Sequence, residues 1–151
     1  MYQSDSEGEL ARRPRGRIFE ELIQTGGQRV STDLLLVFVK EPDIVRHEVA
    51  HIVTHLAGDG PFTSIPSWLD EGVAVYAQSQ AGLAYTSALD FAIRTNDTLS
   101  LRSMQSSSNR VDEVNLFYGQ SFSIVQFLID EFGQDHLAEL FRVHFDGSAI
   151  D

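Results

Sequence analysis

The sequence predicts a mostly helical α+β domain in which a short strand precedes a long helix. Three observations carry this expectation. The apolar run Leu34-Leu35-Leu36-Val37-Phe38-Val39 has no polar alternation and fits a strand covered on both faces. Five stretches with helical start or stop signals follow it. The chain has 151 residues, 42% hydrophobic and 22% charged, which suits one domain with a buried core.

The elements follow in order. Residues 1–28 are expected to form a flexible leader, polar and charged, with a short helix over 17–24 ended by Gly26-Gly27. Residues 29–151 form the folded domain. The strand covers 34–39. Pro42 suits the first position of the next helix, and Asp43 suits the positive end of its dipole. That helix runs to about Ala57, stops at Gly58, and has apolar faces made by Ile44, Val45, Val49, Ile52, Val53 and Leu56. Ser67 is expected to cap a second helix, with Asp70 as its capping-box partner, and that helix ends near Gly82. A third covers 87–95. A fourth covers about 115–132 and is closed by Gly133; a fifth covers about 135–145 and is closed by Gly147. Phe122, Val125, Phe127, Leu128, Ile129, Leu137, Leu140 and Phe141 are expected in the core. The chain stops at Asp151 just after an apolar helix-like segment, as a piece cut from a longer protein would.

Charge and composition exclude several functions. A net charge of −11 argues against nucleic acid as a partner, because phosphate binding needs clustered Lys and Arg. The one basic cluster, Arg12, Arg13, Arg15 and Arg17, reads as part of the solvated leader. No cysteine is present, so disulfides, thiol nucleophiles and Cys-ligated metals are excluded. No apolar run reaches bilayer-spanning length, and the first nine residues carry no secretory signal.

The chemistry lies in His47-Glu48-Val49-Ala50-His51. Two histidines four apart are separated by about 400° of helical rotation, so they share a face at roughly 6 Å. Two imidazoles so placed can grip one zinc ion. Glu48 lies about 100° round from His47, where a carboxylate can take a proton from a metal-activated water. Chance produces such a motif in this composition on the order of once per hundred sequences. A zinc site needs a third protein ligand, and Glu71, twenty positions beyond His51 on a second helix, can supply it. His55 reads as a helix-flank residue. His136 and His144 read as surface or packing residues.

The segment Trp68-Leu69-Asp70-Glu71-Gly72-Val73-Ala74, set after His-Glu-Val-Ala-His, resembles the gluzincin clan of zinc metallopeptidases. The match is to its peptidase MA-like group, related to the thermolysin and M1 aminopeptidase families, over roughly residues 34–145. The resemblance implies a zincin-like domain, with an active-site helix carrying the motif beside a small sheet. It implies one Zn2+ ion held by His47, His51 and Glu71, with Glu48 as general base. It implies a peptide or protein substrate and points to a location outside the cytoplasm. Phe117-Tyr118-Gly119-Gln120-Ser121 is similar to a helix start whose Tyr bonds the oxyanion in the aminopeptidase branch. Tyr118 is therefore either a catalytic hydrogen-bond donor or a helix-start residue with no chemistry.

Departures narrow the expectation. Thermolysin has an Asp four residues after its ligand Glu, orienting a histidine; that position is Val75 here, so the orienting group must come from elsewhere, with Asp70 as one choice. The Gly-Ala-Met-Glu-Asn strand of the aminopeptidases is absent. The metzincin Gly and third His fall on Thr54 and Ala57. Two functions remain open: a zinc-dependent peptidase, or a non-catalytic zinc-binding or scaffolding module on the same fold.

Overall fold

The computed structural model describes residues 27–31, 34–37, 41–60, 63–107, 110 and 113–147. The helix expected over 17–24 and most of the leader lie outside the described residues. Strand β1 (Gly27–Ser31) pairs antiparallel with β2 (Leu34–Val37), in a register that sets Gly27 against Val37 and Arg29 against Leu35. The ladder is irregular between Arg29 and Ser31. Positions 38 and 39 of the expected strand fall outside the described residues.

Five helices follow: α1 (Pro42–Gly58), α2 (Ser67–Tyr76), α3 (Leu83–Thr95), α4 (Val114–Phe132) and α5 (Gln134–Phe145). Pro42 opens α1 and Asp43 sits in its first turn, as the dipole favours. Gly133 (φ 85°) and Gly147 (φ 69°) close α4 and α5 with left-handed backbone that a side chain would resist. Among the described residues, no helix is long and apolar enough to cross a membrane.

Three expected boundaries are corrected. Ser67 is the first residue of α2 rather than its cap; Pro66 holds the cap position, and no side chain caps that end. Asp70 therefore closes no capping box, and its carboxylate turns to α1 instead. Helix α2 also stops at Tyr76 rather than near Gly82, because Gly82 serves as the entry to α3, which starts four residues before the expected Ser87.

The core gathers Ile65, Trp68, Leu69, Met104, Phe117, Val125 and Phe141, with Leu128, Ile129, Leu137 and Leu140 packed against it. Phe127, expected inside, is 56% exposed. Helix α2 is central: Leu69, Ala74 and Val75 are fully buried, and it packs against both α1 and α4. Glycines set these approaches. A Cβ on Gly72 would strike the Ser121 carbonyl of α4, and one on Gly119 would strike the Tyr85 carbonyl of α3. Gln120 ties the loop before α4 to the helix, accepting from Leu99 N at 2.9 Å and donating to Leu99 O at 2.6 Å.

Helix α1 departs most from its pattern. Its buried residues are His47, Glu48, Ala50, Thr54 and Gly58. Its apolar residues Val49, Val53 and Leu56 are 45%, 58% and 59% exposed. The helix turns a polar face toward α2, the reverse of what burial of apolar area alone would choose.

Candidate metal centre

The polar face of α1 meets α2 and α4 at one point. His47 Nε2 and His51 Nε2 lie 3.5 Å and 3.6 Å from the same atom, Glu71 Oε2. The imidazole rings stand edge-on, with centroids 4.8 Å apart. The three donor atoms all lie within 4.8 Å of one another. A tetrahedral ion with bonds of about 2.0–2.1 Å has donor–donor edges of about 3.3 Å. The two edges through Glu71 are close to that value. His47 Nε2 and Glu71 Oε2 are buried and make no hydrogen bond among the described residues. Polar atoms left this way cost free energy unless something else satisfies them. The residues present fit a metal ion.

Glu48 is 4% exposed, and its Oε1 also makes no hydrogen bond among the described residues. Its charge is felt at His51. Tyr118, early in α4, donates from its hydroxyl to Glu71 Oε1 at 3.3 Å. Its ring lies 6.2 Å from His47 and stacks on Tyr85 at 5.2 Å. The close approach of α3 at Gly119 makes that stacking possible. Burial, with the nearby Glu71 charge, raises the Tyr85 pKa.

The far sides of the histidines are also occupied. Asp70 Oδ2 lies 3.0 Å from His51 Nδ1 and 3.1 Å from His55 Nε2, and Thr54 Oγ1 donates to Asp70 Oδ1. His55 Nδ1 in turn meets Asp59 Oδ2 at 2.5 Å, and Asp59 Oδ1 accepts from Ile65 N at 3.2 Å. Burial lowers the pKa of His51. The Asp70 hydrogen bond and the charges of Asp70, Glu71 and Glu48 outweigh it, pushing the pKa up to about 9. Burial raises the Asp70 carboxyl, but the bonds from His51, His55 and Thr54 hold it well below the usual carboxylate range. At the other histidine, the side-chain amide nitrogen of Gln78 lies 2.8 Å from His47 Nδ1. The next residue, Ser79, bonds Asp43 from both its backbone N–H and its hydroxyl, and these bonds lower the Asp43 pKa. A cavity of about 470 Å³ opens beside these groups, lined by Ile44, His47, Gln78, Leu83 and Tyr85 among others.

All the site residues expected from sequence are thus brought to one region except that no contact of Glu48 with the other donors is seen. Four neighbours were not expected. His55 is not a helix-flank residue but a partner of Asp70 and Asp59; its four-residue spacing from His51 was the available signal. Thr54 could have been found from the same helical face. Gln78 and Tyr85 carry no sequence signal, because their roles depend on how α2 and α3 pack. Val75, at the thermolysin Asp position, is fully buried in the core and orients nothing. His136 is exposed and its Nδ1 lies 2.6 Å from the Phe132 carbonyl, as an ordinary surface histidine can.

The family model of the Peptidase MA superfamily matches residues 36–151, and the chain belongs to that superfamily. Comparison with curated proteins gives no match, and neither does comparison with solved structures.

Proposed function

We propose that this chain is a zinc-dependent peptidase in which His47, His51 and Glu71 hold the ion and Glu48 is the general base. The observation that carries the reading is the convergence of two imidazole nitrogens on Glu71 Oε2 at 3.5 Å and 3.6 Å; Glu48, buried on the same helix as the histidines, has an Oε1 with no hydrogen bond among the described residues. Membership of the Peptidase MA superfamily supports it. When bound, zinc supplies Lewis acidity, bringing the pKa of an attached water to about 7 and polarising the scissile carbonyl.

The protein's own groups do the rest. Asp70 keeps the Nδ1 proton on His51, so that Nε2 is the atom facing Glu71. Glu48 accepts a proton from the attacking water and returns it to the leaving amine, which its sparsely hydrated carboxylate favours. Tyr118 stabilises charge developing on the substrate oxygen once its hydroxyl turns from Glu71. The cavity beside His47 receives a substrate side chain.

The test is Glu48→Gln, which keeps the shape and removes the base. Zinc content should stay at one ion per chain, while hydrolysis of a peptide library falls by about 10²–10⁴-fold. Undiminished hydrolysis in the variant would refute the base assignment. A wild-type chain that binds zinc and cleaves nothing would instead be the metal-binding scaffold.

A further inference from the structure

The two site histidines are held on their far sides by chemically different groups. His51 Nδ1 faces the Asp70 carboxylate, which only accepts hydrogen bonds. His47 Nδ1 faces the Gln78 carboxamide, which offers an acceptor on one side and donors on the other. With the amide nitrogen turned to Nδ1, at 2.8 Å, Gln78 donates and Nδ1 accepts. The imidazole proton then sits on Nε2, the atom 3.5 Å from Glu71 Oε2. A nitrogen carrying that proton has no lone pair for a cation. A half-turn of the carboxamide presents Oε1 to Nδ1 instead, moves the proton to Nδ1 and frees Nε2.

We propose that Gln78 is a positioning residue that sets the tautomer of His47, and that metal uptake is coupled to a half-turn of its carboxamide. This rests on the metal reading above and adds to it a residue of the α2–α3 connection. The surroundings suit such a turn. Ser79 is tied to Asp43, one helical turn before His47, so the backbone next to Gln78 is anchored to α1 and only the side-chain end must move. The cavity of about 470 Å³ adjoins both Gln78 and His47 and leaves room for the movement. Val75 is buried in the core, so position 75 does not compete for His47.

The inference orders three variants of the full chain by zinc affinity. Gln78→Glu offers only acceptors, so it holds Nδ1–H permanently and binds zinc more tightly than the wild type. Gln78→Met keeps the side-chain length but loses the bond, and its affinity should fall by about 10–100-fold, the usual effect of losing such a partner. Affinity is read by competition with a chromophoric chelator, and folding is checked by circular dichroism. Independently, nitrogen-15 NMR of the metal-free chain should show His47 protonated on Nε2 in the wild type and on Nδ1 in Gln78→Glu. An unchanged Nε2 proton in Gln78→Glu overturns the proposal, as does wild-type affinity in Gln78→Met. If no variant binds zinc while the His47 proton still follows residue 78, the metal reading falls and the tautomer control stands.

Discussion

Replacing Asp70 by alanine removes a carboxylate that serves three groups on α1. His51 Nδ1 at 3.0 Å and His55 Nε2 at 3.1 Å would lose it, and so would the Thr54 hydroxyl. The Asp70 side chain is 15% exposed, with His51 at 15% and His55 at 18%, so water can only partly take its place. Breaking a buried pair by removing one partner costs about 3–5 kcal/mol. The residual exposure favours the lower end, about 3 kcal/mol, which is about 6–12 °C in Tm for a chain of this length. The assay is thermal unfolding of the metal-free protein, followed by circular dichroism in the presence of a chelator. Its pH dependence tests the cause. The folded pKa of His51, about 9, lies above the ordinary 6.5, so its contribution is complete below 6.5 and is lost as pH rises through about 9. The Asp70 carboxyl lies below its ordinary 3.8, so its contribution is complete above 3.8 and is lost as pH falls further. The Tm gap between wild type and Asp70→Ala should therefore be widest between pH 3.8 and 6.5 and shrink toward both extremes. A gap that is absent, or constant with pH, would refute the ion-pair account.

Other changes probe neighbouring parts of the centre. Tyr118→Phe deletes the 3.3 Å bond to Glu71 but leaves the stacking on Tyr85; peptide hydrolysis should fall by about 10²–10³-fold with zinc affinity nearly unchanged, and an unchanged kcat would take the phenol out of the chemistry. Gly119→Ala forces α3 off α4 because the new methyl meets the Tyr85 backbone. Overpacking of about 1–3 kcal/mol outweighs the helix-propensity gain of about 1 kcal/mol, so a calorimetric Tm above that of the wild type would contradict the close approach.

The part of this protein that depends on local backbone geometry was legible in the sequence. Residues four apart share a helical face, which sets His47 beside His51 wherever that helix lies. Pro42, Gly133 and Gly147 marked the helix ends where they occur, because their allowed dihedrals leave few alternatives. The Trp-Leu-Asp-Glu-Gly segment singled out Glu71, although its distance to the histidines was not a local property. Only packing brings Glu71 Oε2 within 3.6 Å of both imidazoles, through an α2 that Gly72 lets settle against α4. Packing also reversed two local preferences. Asp70 gave up a helix-capping role for His51, His55 and Thr54, since a buried carboxylate is better satisfied by three partners than by one exposed end. Helix α1 turned its histidines inward and left Val53 and Leu56 in the open, against its apolar periodicity. The sequence by itself determined that two histidines stand one turn apart on a single helical face, with Glu48 about 100° round from the first. The tertiary structure decided that this face is the buried one and which side chains of α2, α3 and α4 surround it, because distances between helices are set by the fit of many side chains at once rather than by the rotation of one chain.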